Sequence, residues 1–160
     1  MSKRLLVVLG EGGHSKEILV LVDQLGDDLE YGYVLVADDE VSESKLRRPG
    51  PVFRVLRPRD KTHHLVWDVC KTLWSGLQSL FVVVRYRPDA VLTSGPSVAV
   101  PACVAARLLG RKVIFVETGS RVTALSMTGK IMYRLANLFF VQWPELLDDY
   151  PKAVYAGRTF

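Results

Sequence analysis

The chain has 160 residues, 49% of them hydrophobic and 24% charged, a globular composition that supplies one domain's core and excludes disorder. Lys and Arg total 21 against 17 Asp and Glu, an excess of +4 that crowds into Lys45, Arg47, Arg48, Arg54, Arg57, Arg59 and Lys61. Such a segment suits an anionic lipid, a nucleic acid, a phosphorylated substrate or a solvated face.

Cys70 and Cys103 lie in separate apolar helical patterns without C-x-x-C spacing, and read as buried free thiols of a reducing compartment. With three histidines and no Cys/His cluster, a structural metal site has no support. The apolar run after the N-terminus is too short for a signal peptide, and none approaches the roughly 18 residues of a membrane span. Membrane contact is expected to be peripheral or through a partner.

In chain order, Leu5–Leu9 reads as a buried strand broken by Gly10, Gly12 and Gly13, and Lys16–Leu25 resumes with helical spacing up to Gly26. Glycines there let backbone approach a ligand, and the helix start favours an anion such as a diphosphate. His14, at the mouth of the turn, suits proton transfer near neutral pH. A dinucleotide fingerprint needs glycine where Ser15 stands, and no Gly-Lys-Ser/Thr completes a P-loop.

Tyr33–Ala37 reads as a second strand ending in the acidic turn Asp38-Asp39-Glu40, and Val52–Val55 as a third between Pro51 and Pro58. A long helix follows, from about Thr62 to Tyr86. Val66, Cys70, Leu73, Leu77, Leu80 and Val84 recur on it at spacings of three and four, which predicts a core-facing stripe. Trp67, Trp74 and Phe81 recur beside the stripe, with Lys71 at its border. This shoulder packs in the core or against a partner chain, or lies on a bilayer surface.

The strands Ala90–Thr93, Lys112–Val116, Leu138–Val141 and Ala153–Tyr155 alternate with helices over Val98–Leu109 and Ser126–Ala136 and a short helix starting at Trp143-Pro144-Glu145. This alternation predicts an α/β fold: a single Rossmann-like domain with a parallel sheet covered on both faces. Ligands bind such folds beyond the carboxyl ends of the strands, so Gly10–His14, Ser94–Ser97 and Glu117–Arg121 should share one edge. A nucleic-acid module is disfavoured, because the basic residues are not interleaved with aromatics on predicted strands.

With G-x-G-G-H near the start, PDAVLTSGPSVAVP at Pro88–Pro101, VETGSRVTALSMTGKIMY at Val116–Tyr133, FFVQWPEL at Phe139–Leu146 and YPKAVYAGR at Tyr150–Arg158, the chain resembles the oligosaccharide-biosynthesis family of asparagine-linked glycosylation protein fourteen. More distantly, the same blocks resemble the N-terminal half of the peptidoglycan glycosyltransferase MurG. The resemblance implies one acceptor-side half of a GT-B glycosyltransferase, residues 1–160, without cofactor. A partner of the family of asparagine-linked glycosylation protein thirteen would carry most of the UDP-sugar site. Together they would transfer N-acetylglucosamine from UDP to a dolichyl (polyprenol) diphosphate sugar, peripherally on the cytoplasmic face of a membrane. One lobe alone agrees, since a two-lobed enzyme then needs a second polypeptide.

Carried over on matching positions, Gly12, Gly13 and His14, with Ser15, fall on the family's glycine-rich turn for the acceptor's diphosphate and sugar. Gly95 and Pro96 fall on its second loop; Glu117 and Arg121 on an acidic strand end; Ser126, Thr128, Gly129 and Lys130 on the next helix start. His14 or Glu117 would be the base of an inverting transfer, His14 ranking ahead, and Arg121 would bind phosphate or orient Glu117. Trp67, Lys71, Trp74 and Phe81 would meet the membrane. Glu11 departs from the family's usual small residue and sets a carboxylate beside the anion site. Two alternatives stay open: an exopolysaccharide or capsule transferase subunit with another donor sugar, and a non-catalytic scaffold that activates its partner.

Overall fold

The computed structural model describes residues 2–10, 13–57 and 65–159, apart from the side chains at 65–68. Seven strands, β1 (Lys3–Val8), β2 (Leu29–Val36), β3 (Val52–Val55), β4 (Ala90–Thr93), β5 (Lys112–Val116), β6 (Leu138–Val141) and β7 (Val154–Tyr155), form one parallel sheet in the order β3-β2-β1-β4-β5-β6-β7. Between them run α1 (Gly13–Leu25), α2 (Glu40–Glu43), α3 (Leu65–Tyr86), α4 (Ala99–Leu108), α5 (Met127–Leu135) and α6 (Leu146–Asp149). The order turns outward from β1 and β4, as in a doubly wound sheet, so the loops leaving β1 and β4 open onto one crevice.

Alternation along each strand splits the interior in two. Leu6, Val8, Val91, Val113, Phe115 and Phe139 point toward α3, α4 and α5, whereas Leu5, Val7, Leu9, Tyr33 and Leu35 point toward α1. Leu6, Val91 and Phe115 are all 0% exposed and each contributes about 1.5–3 kcal/mol through burial.

Most element boundaries follow the sequence reading, but β2 begins at Leu29 rather than Tyr33, and two further differences lie at the site edge. Helix α1 begins at Gly13, so His14 lies within its first turn. The acidic turn after β2 closes into α2, because Asp39 Oδ1 accepts from Ser42 N at 2.9 Å as a helix cap.

The long helix turns the other way from its predicted stripe. Cys70, Leu73, Leu77 and Val84 are exposed, and only Leu80 of the described stripe packs against the core. Buried instead are Ser75, Ser79, Val82 and Val83, with the Cβ position of Gly76 facing Pro101 of α4. Small side chains let α3 approach α4 closely, and that packing sends the broad apolar face outward. Cys70 is therefore an exposed thiol, whereas Cys103 is buried as expected. The aromatic shoulder leaves the core with the stripe: Trp74 is 54% and Phe81 65% exposed. Lys71 is half-buried, and the Trp67 side chain lies outside the described residues.

The basic segment is largely neutralised. Arg47 pairs with Asp23 at 3.1 Å, Arg57 with Asp38 at 3.4 Å, Arg48 with Asp27, and Arg54 with Glu43. Arg59 and Lys61 fall outside the described residues. Coverage of the sheet is uneven too. On the α1 side, Leu138 and Val154 are exposed and Ile114 and Phe140 half-buried, so β5–β7 lack a helical cover there among the described residues.

Candidate functional site

The loops leaving β1, β4, β5 and β6 meet at the carboxyl edge of the sheet and are bonded to one another. A Cβ on Gly10 would sit 2.2 Å from Pro96 Cβ, so only glycine lets these two loops touch. Ser94 Oγ donates to the His14 carbonyl at 2.9 Å, tying the β4 loop to the first turn of α1. Gly95 has φ +97, a left-handed conformation that glycine adopts freely, and its Cβ position would face Phe115 and Thr128 Cγ2.

His14 is half-buried. Its Nδ1 is enclosed without a hydrogen-bond partner. In front of Gly13 lies open space, with no atom within 4 Å of a Cβ built there. Gly12 and Glu11 are outside the described residues. Ser15 turns inward: it is buried, and its hydroxyl lies 3.1 Å from Ser42 Oγ, which also reaches the Gly10 carbonyl at 3.3 Å. Asp39 caps the helix that carries Ser42, so a buried polar chain supports the glycine turn from beneath.

Glu117 ends β5 and is fully buried. Its Oε1 accepts from Thr118 N, and its Oε2 from Ser126 N and Ser126 Oγ, each at 3.1 Å. Burial pushes its carboxyl above the usual carboxylate range, against the opposing pull of the Ser126 and Thr118 bonds and the Arg121 charge. Ser126 also caps α5, accepting from Gly129 N at 2.9 Å. A Cβ on Gly129 would lie 1.8 Å from Glu117 Oε2, so this carboxylate packs flat against the helix backbone. Arg121 and Lys130 are exposed, and the Arg121 charge reaches Glu117 through space.

The structure thus brings together His14, Gly13, Gly95, Pro96, Thr128 and the loop to Arg121, and turns Ser15, Glu117, Ser126 and Gly129 inward as its supports. Three participants escaped the sequence reading, Glu17, Gln142 and Trp143, whereas Thr118 lies in the turn that the reading placed at this edge. The Glu17 carboxylate accepts from Thr118 Oγ1, Gly119 N and Gln142 Nε2, and Trp143 Nε1 donates to Gly119 O at 2.7 Å. The signals were a carboxylate one turn after His14 on the same helix face, and a polar residue closing the apolar strand β6. Arg158 stacks over Trp143 at 3.6 Å. Among the described residues no cluster of His, Cys, Asp and Glu is arranged to hold a metal ion. Nor is any described helix long and apolar enough to cross a membrane.

The family described as oligosaccharide biosynthesis protein Alg14 like matches residues 5–159. The human UDP-N-acetylglucosamine transferase subunit ALG14 is 40% identical, with 98% of this chain and 83% of the human protein covered. The Schizosaccharomyces pombe subunit of the same name is 36% identical over 97% of this chain and 82% of its own. Their naming as subunits implies a partner chain.

Among solved structures, Acinetobacter baumannii MurG aligns with a TM-score of 0.75 at 20% identity, covering 89% of this chain and 42% of MurG. The Neisseria meningitidis UDP-GlcNAc 2-epimerase aligns with a TM-score of 0.70 at 15% identity, covering 98% of this chain and 47% of the epimerase. This chain therefore spans less than half of each of those proteins, and the likeness is one of fold: a Rossmann-like domain of the kind found in GT-B glycosyltransferases. By the match along nearly its whole length, the chain belongs to the Alg14-like family of oligosaccharide biosynthesis proteins.

Proposed function

We propose that this chain is the acceptor-side subunit of a two-chain glycosyltransferase that moves N-acetylglucosamine from its UDP donor to a polyprenol-diphosphate sugar. The observation that carries the reading is the 40% identity to the human transferase subunit across 98% of the chain. Two surfaces support it. The carboxyl edge gathers His14, Gly95, Pro96 and Thr128 where an acceptor would enter. The uncovered α1-side face of β5–β7 is unusual for a parallel sheet, whose faces are normally both buried, and suits a partner of the asparagine-linked glycosylation protein thirteen family.

In this reading the acceptor hydroxyl attacks the anomeric carbon of the donor sugar, its proton passes to His14 Nε2, and UDP departs. His14 is preferred over Glu117 because the Glu117 oxygens are enclosed and already engaged by Thr118 and Ser126. The open start of α1 at Gly13, with Gly95, Pro96 and Thr128 opposite, receives the acceptor's diphosphate, and Arg121 supplies charge toward it. The outward face of α3 is read as the membrane contact on a cytoplasmic surface. A groove of about 480 Å³ beside it, lined by Phe53, Arg54, Trp74, Leu77 and Phe81, offers apolar walls to a lipid chain.

The test is transfer of radiolabelled sugar from a panel of UDP donors to a polyprenol-diphosphate sugar, with and without the partner chain. Activity from UDP-N-acetylglucosamine only when both chains are present is the expected result. Activity from this chain alone overturns the division of labour. A different donor moves the protein to polysaccharide assembly. Full turnover by both the His14→Ala and the Glu117→Ala complexes would make this chain a scaffold.

A further inference from the structure

Glu17 stands one turn after His14 on α1, so the two side chains share a face of the helix. Its carboxylate is half-buried, and three neutral donors converge on it: Thr118 Oγ1 at 3.0 Å, Gly119 N at 3.3 Å from each oxygen, and Gln142 Nε2 at 3.2 Å. The first two belong to the loop after β5, the third to the end of β6. Gln142 is itself buried, and the same amide nitrogen donates to the Glu117 carbonyl at 3.1 Å. Gln142 Oε1 accepts from both N and Oγ1 of Thr159 at 2.9 Å. The Gly119 peptide is held from both sides, since its N–H reaches Glu17 and its carbonyl accepts from Trp143.

We infer that Glu17 is a positioning residue of the transfer site: through Thr118, Gly119 and Gln142 it fixes the first turn of α1, and with it the His14 ring, against the loop that carries Arg121. The inference rests on the reading of His14 as the base, and adds a residue that acts through it without touching substrate. Acceptor chemistry explains why a carboxylate stands here. Gly119 N and Gln142 Nε2 can only donate, and the Thr118 hydroxyl donates here as well, so a carboxylate accepts from all three and adds a charge that strengthens each bond. Glutamine would remove that charge and face its NH2 either toward Gln142 Nε2, a donor, or toward the Thr118 hydroxyl, which would have to turn round, and aspartate would stop one methylene short.

The test uses the complex with its donor-binding partner, UDP-N-acetylglucosamine and a polyprenol-diphosphate sugar. In Glu17→Gln, kcat is expected to fall roughly 10- to 100-fold with the donor KM within about twofold, because the misplacement acts on the transition state. In the 15N-histidine-labelled chain, the His14 ring signals, assigned by their loss in His14→Ala, should move in Glu17→Gln. An unchanged kcat, or unmoved His14 signals, in a folded Glu17→Gln complex overturns the inference. If His14→Ala keeps turnover, the base assignment fails and the inference falls with it; if His14→Ala loses turnover while a folded Glu17→Gln complex keeps it, the base assignment stands and the inference alone fails. Should Glu17→Gln not fold, Thr118→Ala removes one donor only; it should lower kcat several-fold and move the same signals, and no change in either overturns the inference.

Discussion

The carboxyl edge of the sheet and the outward face of α3 are built on opposite terms. At the edge, polar groups are matched across elements: Ser94 to His14, Glu17 to Thr118 and Gly119, Gln142 to Thr159, Glu117 to Ser126. On α3, Val69, Leu73, Trp74, Leu77, Phe81 and Val84 are each half or more exposed. Directional bonds fix atoms to fractions of an ångström, which chemistry needs. An apolar face fixes no geometry and favours only leaving water, which adhesion needs. Substitutions at the two places should therefore fail in different ways.

The sharpest contrast is catalytic. His14→Ala in the assembled complex should lower kcat by about 10²- to 10⁴-fold while the chain still binds vesicles. The converse experiment is the pair Trp74→Glu with Phe81→Glu. Because both side chains already face water, the melting temperature should barely move. Binding to anionic phospholipid vesicles should weaken about 10- to 100-fold, and transfer to a short-chain, water-soluble acceptor should persist. Equal loss on soluble and membrane-held acceptors would erase the distinction between the two regions.

The same contrast explains what the sequence could reveal. The order of strands and helices was readable, because each apolar run is bounded by Gly or Pro and strands alternate with helices. The placement of His14, Gly95 and Glu117 on one edge followed from the parallel topology alone. The orientation of α3 did not, because its apolar residues outnumber what one interface needs and periodicity cannot say which stripe faces inward. Ser75, Gly76 and Ser79 decide that by admitting α4, and small polar residues read as surface in a sequence. Glu17 and Gln142 were hidden for another reason. Their partners lie 101 and 17 or more residues away, and such bonds exist only once the loops have met.

A smaller effect probes how tightly the edge is packed. Gly129→Ala would set a methyl group 1.8 Å from Glu117 Oε2, forcing the carboxylate off Ser126. The expected loss is about 2 kcal/mol, a melting temperature lower by roughly 4–8 °C, even though alanine favours helix over glycine. Calorimetry on the purified chain measures it, and a stabilised Gly129→Ala variant would show that Glu117 is not locked in place.

The smallest effect concerns the charge of Glu117. Burial raises its pKa above the ordinary value of 4.5, and the bonds from Ser126 and Thr118, with the Arg121 charge, oppose that rise. As pH falls toward 4.5, the folded chain takes up this proton before the unfolded chain does, so the stability contribution of Glu117 grows; it is lost again as pH rises through the folded-state pKa. Glu117→Gln has no such proton, and all other titrating groups cancel between the two proteins. The melting-temperature difference, wild type minus Glu117→Gln, should therefore shift in favour of wild type as pH is lowered from 7 toward 4.5. A shift of the opposite sign would mean that the three hydrogen bonds outweigh desolvation, and that Glu117 holds the α5 start as a stabilised carboxylate anion, making the edge a more strongly polar structure than its burial implies.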